Sequence, residues 1–210
     1  MWQGRQAISH EPLANSSELT ANSFPLDWFE NRLNKVRAEV DSLMKQFRLS
    51  EALKTIYSLI WDDFCSWYLE WIKPGFEQPI DAIVYNRTIG YFEELMQLLH
   101  PFMPFVTEEI YHLLKTQTDD LCVKQFAELN TVDEKILADG ELLKQVITNI
   151  RDGRNKNQLK PKEPIKLFIE TDSKESYSAI ENIICKQVNA DELSFESVSI
   201  KSLITSFGFN

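Results

Sequence analysis

The sequence is poor in cysteine, histidine and glycine, and each shortage argues against a class of site. The three cysteines, Cys65, Cys122 and Cys185, are odd in number, widely spaced and form no C-x-x-C pair. They indicate neither a disulfide framework nor a zinc site, and they suit a reducing compartment. The three histidines are isolated from the cysteines and from one another, so no metal site is predicted. With six glycines in 210 residues, phosphate-cradling loops are scarce, and the common nucleotide-binding and hydrolase motifs are absent.

Positive charge and long apolar runs are also lacking. The formal net charge is −10 and the isoelectric point is about 4.9, which is unfavourable for a general nucleic-acid binder because such proteins neutralise phosphates with lysine and arginine. Any RNA contact must therefore come from a local basic patch or from a larger protein. No run approaches the roughly 18 apolar residues of a membrane span, and the first residues do not resemble a secretory signal. We therefore predict a cytoplasmic protein with no membrane and no DNA partner.

Hydrophobic periodicity predicts an antiparallel helical bundle over residues 27–117. Residues 9–25 are rich in serine, asparagine and proline, so residues 1–26 are expected to be a loop or linker. Beyond them, apolar residues recur every three or four positions in four segments joined by short connections. The first inward stripe comprises Phe29, Leu33, Val36, Val40, Leu43 and Phe47, and the second comprises Leu53, Ile56, Tyr57, Ile60, Phe64, Trp67, Tyr68 and Trp71.

Residues 118–210 have a different pattern, which predicts a small α+β unit. Helices are predicted over residues 138–156 and 173–188. Strands are predicted at LCVKQF (121–126), IKLFIE (165–170) and ELSFESVS (192–199). The predicted fold class is therefore mainly α, with the helical bundle followed by this α+β unit.

The segment WDDFCSWYLEWIKP (61–74) allows three interpretations: a stacking platform for bases, a catalytic acid pair, or the buried face of a helix. Asp62 and Asp63 are adjacent, so on a helix they point about 100° apart and cannot converge on one substrate atom. A base-stacking surface would have basic residues between its rings, yet none lies between Lys54 and Lys73. We therefore predict a mostly buried helix and no catalytic residue. Trp61 is the ring whose exposure the pattern leaves open.

Residues 144–166 carry seven basic and two acidic side chains, an unusual concentration in an acidic chain. Arg151 and Arg154 are three apart, a spacing that places them on one helix face. One interpretation is a solvated helix end, where cations are favoured by the helix dipole. The other is a patch that contacts phosphates and positions RNA without reading its sequence. The residues alone leave both open.

Two longer strings resemble a known family. FRLSEALKTIYSLIWDDFCSWYLEWIKP and LHPFMPFVTEEIYHLL are similar to the anticodon-binding bundle of the valyl-tRNA synthetase family, and the resemblance covers about residues 27–170. The sequence lacks H-I-G-H and K-M-S-K-S, which bind ATP and activate the amino acid in that family. The resemblance therefore implies a C-terminal piece that is not an enzyme by itself and has no cofactor. ATP, and any zinc, are expected only in other domains of the parent ligase.

The resemblance also implies partners and binding residues. The expected partners are the tRNA for valine and the rest of the parent synthetase. Arg151, Arg154 and Lys156 are the candidates for backbone phosphates, and Arg48, between the first two helices, is a further candidate for the anticodon loop. The alternative is a helical protein-interaction or scaffold domain with no RNA role.

Overall fold

A computed structural model of the chain describes residues 16–75, 77–114, 119–160, 163–171 and 174–196, with side chains from Ser23 to Phe195. The chain divides into two compact units, Met1–Glu134 and Lys135–Asn210. The division comes later than the boundary between residues 117 and 118 that the sequence suggested. The fold class is confirmed, since a helical first unit is followed by a smaller α+β unit.

The first unit is a bundle built around one long helix. Helix α1 packs against α2, α4 and the π-helical segment that continues α2, and α4 packs against α5. Short joints connect these elements, as the bundle prediction required. The elements are α1 (Ser16–Lys45), α2 (Leu49–Ser58), the π-helical segment (Leu59–Tyr68), α3 (Leu69–Ile72), α4 (Ala82–Leu99), α5 (Pro104–Leu114) and a 3-10 turn (Leu121–Val123).

Helix α1 begins earlier than predicted. Residues 16–25, expected to be loop, are helical, and Pro25 lies inside the helix. The loop prediction was wrong here because tertiary burial outweighs local composition: Phe24 and Leu26 are buried, and the Phe24 ring lies 6.5 Å from that of Trp71. Residues 1–15, the rest of the predicted linker, lie outside the described residues.

Most rings of the aromatic-rich segment are interior, as predicted: Phe64, Tyr68 and Trp71 are buried and Trp67 is half-buried, whereas Trp61 is exposed. The ring of Phe29 contacts those of Tyr68, Phe64 and Tyr91 at centroid distances of 4.8, 5.1 and 5.3 Å. Burying rings of this size stabilises a core by about 1.5–3 kcal/mol each. The segment is therefore the hydrophobic centre of the bundle, and it fixes α2 and its continuation against α1.

The π-helical geometry changes which of these side chains are buried. The amide of Leu69 donates to the carbonyl of Phe64, five residues back, and such a turn is wider than that of an α-helix. Leu59 and Phe64, five apart, are both buried as a result. Tyr57 and Leu53, which the α-helical stripe placed inward, are exposed. That part of the prediction was wrong because it assumed an α-helical period throughout.

The strand predicted over residues 121–126 is absent. Leu121–Val123 form a 3-10 turn, and an extended segment follows up to α6. The backbone of this segment accepts hydrogen bonds from side chains of the bundle. Gln97 Nε2 donates to the Lys124 carbonyl over 2.6 Å, and Arg37 donates to the Ala127 carbonyl. These hydrogen bonds give two backbone carbonyls of the segment a partner in place of a neighbouring strand. They also attach the segment to the first unit.

The second unit combines α6 with a β-α-β arrangement. The strand predicted over residues 165–170 is confirmed, and the strand predicted over residues 192–199 is confirmed as far as Glu196, since residues 197–199 lie outside the described residues. The two strands pair in parallel, with Lys166 opposite Glu192. The helix predicted over residues 173–188 is instead a 3-10 turn followed by a shorter helix, which ends at Asn189 in the left-handed conformation. The elements are α6 (Glu134–Lys156), β1 (Ile165–Glu170), the 3-10 turn (Lys174–Tyr177), α7 (Glu181–Val188) and β2 (Ala190–Glu196).

Candidate nucleic-acid interface

The C-terminal end of α6 presents exposed cations. Arg151, Lys156 and Lys160 are all exposed, and Arg151 Nη2 donates to Gln187 Oε1 over 3.1 Å. Helix α6 ends where Gln158 takes a positive φ of 55° and the Leu159 amide donates to the Arg154 carbonyl. The helix dipole favours positive charge at this end. The structure thus keeps two of the three predicted phosphate contacts, Arg151 and Lys156, accessible to solvent.

Arg154 points away from this exposed surface. Its side chain is buried, and its guanidinium donates to the carbonyls of Lys160, Glu163 and Val188 over 2.8, 2.8 and 2.6 Å. These bonds tie the loop after α6 to the end of α7. The phosphate role predicted for Arg154 stays a prediction, but burial argues against a direct contact and indicates a structural role.

The remaining members of the basic segment are mostly paired. Lys144 contacts Glu141 over 3.0 Å, and Lys166 contacts Glu192 over 2.9 Å across the two strands. The hydrogen bond to Glu192 raises the pKa of Lys166. Lys162 lies outside the described residues. Among the described residues of this segment, Arg151, Lys156, Lys160 and Lys166 are exposed, and Lys166 is the one of these four that forms an ion pair with a carboxylate.

Arg48 lies at the joint between α1 and α2, as predicted, in the first unit. It is exposed, and its Nε donates to Glu51 Oε1 over 2.7 Å. The hydrogen bond raises the pKa of Arg48 and lowers that of Glu51. Arg48 borders an open groove of about 670 Å³ between the two helices. The groove residues are Arg32, Glu39, Ser42, Leu43, Gln46, Arg48, Glu51, Lys54, Thr55 and Ser58.

Phe47 is a surface feature that the sequence prediction missed. The periodicity placed it last on the buried stripe of α1, yet its side chain is 87% exposed and its φ is 60°. The stripe ends one turn earlier, at Leu43, because the chain leaves the helix at Phe47 to turn into α2. A signal was present in the sequence, since Phe47 directly precedes Arg48, which was predicted to lie between the first two helices.

Asp62 and Asp63 diverge, as their adjacency predicted. Asp62 is exposed and accepts a hydrogen bond from Ser58 Oγ over 2.8 Å. Asp63 is buried and accepts one from Arg32 Nε over 2.7 Å. Each carboxylate thus has its own partner, and the two do not face one substrate position.

One cluster has the residue types of a metal site. Ligand atoms of Glu108, His112 and Asp120 lie within 4.8 Å of one another. Sequence reasoning missed the cluster because Asp120 comes from beyond α5. His112 Nε2 lies 3.2 Å from both carboxylates, and Glu108 Oε1 also accepts the Leu121 amide over 2.7 Å. These contacts hold the 3-10 turn against α5, which explains the cluster without an ion.

Within the described ranges, the helices are too short or too polar to cross a lipid bilayer.

A family model for the anticodon-binding domain of tRNA ligase matches residues 27–169. The chain belongs to this family. The match spans Arg48, Arg151, Arg154 and Lys156, and it extends from α1 into β1 of the second unit.

Valine–tRNA ligases of several bacteria resemble this chain over most of its length. The chain is 38% identical to a valine–tRNA ligase of Parabacteroides distasonis over 83% of its residues and 20% of that protein. Valine–tRNA ligases of Porphyromonas gingivalis and Bacteroides thetaiotaomicron are 40% and 42% identical over 76% and 71% of the chain, and 18% and 17% of their own lengths. The predicted resemblance to valyl-tRNA synthetases is confirmed, and the chain spans about a fifth of the length of these relatives.

Proposed function

We propose that this chain is the part of a valine–tRNA ligase that binds the anticodon arm of the tRNA for valine. The observation that carries the proposal is the anticodon-binding family match over residues 27–169, together with the resemblance to valine–tRNA ligases of several bacteria. In the parent protein, ATP and any zinc belong to other domains, and the setting is the cytoplasm. The chain itself makes and breaks no bonds.

The exposed end of α6 supports phosphate binding by the second unit. Arg151 and Lys156 are available to solvent, and they can take backbone phosphates without reading the sequence. Arg154 has an indirect role, because its bonds to three carbonyls fix the loop beside these cations. The chain would contribute to catalysis by the parent ligase by holding the tRNA in a defined place, since correct positioning lowers the entropic part of the reaction barrier.

Arg48 supports a separate contact by the first unit. Its guanidinium is exposed beside the groove between α1 and α2, and Glu51 holds it in place. An exposed ion pair of this kind contributes little to stability, so a phosphate can displace Glu51 at small cost. We assign Arg48 to the anticodon loop.

A second candidate function is a protein-interaction surface. Leu49, Leu53, Tyr57 and Trp61 follow one another at four-residue steps along α2 and its continuation, and all four are exposed. The rings of Tyr57 and Trp61 stack 6.4 Å apart at an interplanar angle of 13°. A row of exposed apolar side chains is typical of a surface that another protein element covers.

Binding of the 210-residue chain to a transcript of the tRNA for valine tests the first proposal. The dissociation constant is measured over a salt series by fluorescence anisotropy. We expect affinity to fall steeply with salt, because phosphate neutralisation releases counterions. Replacing Arg151 or Lys156 by Gln should reduce the slope of log affinity against log salt concentration by about one unit for each lost phosphate contact.

Lys174→Gln is the matched control, because Lys174 is an exposed lysine of the same unit outside α6. The same loss of charge there should leave the slope unchanged. Absence of binding at low salt, or binding indifferent to salt, would overturn the proposal.

A further inference from the structure

The turn between α1 and α2 places an aromatic ring in solvent at a backbone position that favours glycine. The Phe47 amide donates to the Met44 carbonyl over 3.0 Å, and the Arg48 amide donates to the Leu43 carbonyl over 2.9 Å. This pair of bonds is the usual helix-ending arrangement in which the left-handed residue is most often glycine. Phe47 occupies that position with φ 60°, and its ring is 87% exposed. Neither helix termination nor core packing accounts for an aromatic residue there.

The surroundings of Phe47 have the chemistry of a single-stranded RNA site. Its chain neighbours Gln46 and Arg48 both border the groove between α1 and α2. Lys54 and Arg32 add positive charge to the same groove, which also contains Glu39 and Glu51, so its three cations outnumber its two carboxylates. An aromatic face next to cations is how proteins bind unpaired nucleotides, because every base offers a face for stacking while the cations take the phosphates.

Four other exposed rings of the first unit differ from Phe47 in their surroundings. Phe126 is 47% exposed, but the guanidinium of the buried Arg37 lies over its ring, 5.4 Å from the centroid, so a cation already occupies that face. Phe105 is 90% exposed, but Met103 and Val106, which are also exposed, give it apolar surroundings. Tyr57 and Trp61 stack on each other, and no basic residue lies between Lys54 and Lys73. Of these exposed rings, Phe47 is therefore the one best suited to stack on a base.

We propose that Phe47 is a stacking platform for one unpaired base of the anticodon loop, with Arg48 and Lys54 taking the phosphates beside that base. The proposal rests on the proposed function and adds to it a residue that contacts a nucleobase. The backbone of Phe47 is left-handed, its ring is exposed, and the residues on either side of it border the groove. A bulky residue in this conformation makes the turn less stable than glycine would. Stacking tolerates any base, so Phe47 contributes affinity and leaves sequence discrimination to other contacts.

Substitutions at Phe47 should move stability and RNA binding in opposite directions. The probe is an anticodon stem-loop of the tRNA for valine, with 2-aminopurine at one loop position at a time, titrated with the 210-residue chain. Phe47→Gly should weaken binding about 5- to 150-fold, the range measured for losing one aromatic–base stack. It should also raise the midpoint of thermal unfolding, because glycine adopts the left-handed conformation without strain. Phe47→Trp should retain the affinity and the 2-aminopurine quenching at one loop position.

The control and the alternatives separate this inference from the proposed function. Phe105→Ala removes an equally exposed ring and should leave the affinity unchanged. If Phe47→Gly binds the stem-loop as the original chain does, while Arg151→Gln weakens binding of the whole tRNA, Phe47 is no stacking platform and the proposed function stands. If the original chain binds neither RNA at low salt, both proposals are overturned.

Discussion

Arg32 Nε donates to Asp63 Oδ2 over 2.7 Å and links α1 to the π-helical segment. Asp63 is buried, whereas Arg32 is about one-third exposed. The adjacent Asp62 accepts a local hydrogen bond from Ser58, one turn earlier in the same helical run. Two neighbouring carboxylates therefore have different roles, one between helices and one within a helix.

Replacing Asp63 by Ala should lower the free energy of unfolding of the first unit by about 1–3 kcal/mol, because it leaves a partly buried guanidinium without its partner. Asp62→Ala is the control and should change it by less than about 0.5 kcal/mol. Denaturant unfolding followed by tryptophan fluorescence measures both, since all five tryptophans belong to the first unit. Equal effects of the two substitutions would contradict the role of the Arg32–Asp63 pair.

Arg154 should matter for folding, and Lys156 for RNA binding. Arg154→Met leaves three backbone carbonyls without their hydrogen-bond donor. We expect it to lower the free energy of unfolding of the second unit by about 2–4 kcal/mol. Faster amide hydrogen exchange in β1 and β2 would report it. Lys156→Met should leave exchange unchanged and weaken tRNA binding. Should Arg154→Met bind tRNA more weakly with normal exchange, Arg154 would be a phosphate contact after all.

Removing Glu51 should strengthen RNA binding. Glu51→Gln frees the guanidinium of Arg48 and removes a negative charge from the groove, so the affinity for the anticodon stem-loop should rise roughly two- to fivefold at low salt. Asp41→Asn makes the same change in net charge at a different ion pair, with Lys45, and should have a smaller effect. An equal rise in both variants would show only a general effect of net charge.

Alkaline pH should destabilise the first unit. Burial raises the pKa of Tyr68 to about 12, and it raises that of the neighbouring Tyr91 as well. An unfolded tyrosine titrates near pH 10, so the contribution of Tyr68 is complete below about pH 10 and is lost as the pH rises to about 12. Tyr68→Phe should flatten the pH dependence of the unfolding midpoint in that window. Tyr57→Phe, at an exposed tyrosine, should leave the dependence as it is.

The exposed apolar row on α2 should govern any self-association. If the row is a protein-interaction surface, sedimentation velocity should show dimers of the original chain at high concentration and monomers of Trp61→Ser. Leu113→Ser is the control, since Leu113 is an exposed apolar residue of α5 away from this row. If the original chain is monomeric, two copies do not bind each other through this row. A protein-interaction surface there would then have to bind a different protein.

Hydrophobic periodicity predicted the bundle and two of the three proposed strands, because core positions repeat at the period of the element that buries them. It failed near the place where that period changed: Leu59, the first residue of the π-helical segment, is buried, whereas Tyr57, which the predicted stripe placed inward, is exposed. It also failed at residues 16–25, where the burial of Phe24 outweighs a loop-like composition. Local patterns carry no information about such distant partners.

The candidate site shows the same limit. The spacing of Arg151 and Arg154 placed both on one helix face, yet only the fold shows that backbone carbonyls from three separate positions surround Arg154. The sequence alone determined the fold class, the family resemblance and the concentration of positive charge after residue 144, because composition and periodicity are local properties. The tertiary structure decided which cations reach solvent and that Phe47 is exposed, because burial depends on residues far apart in the chain that the fold brings into contact.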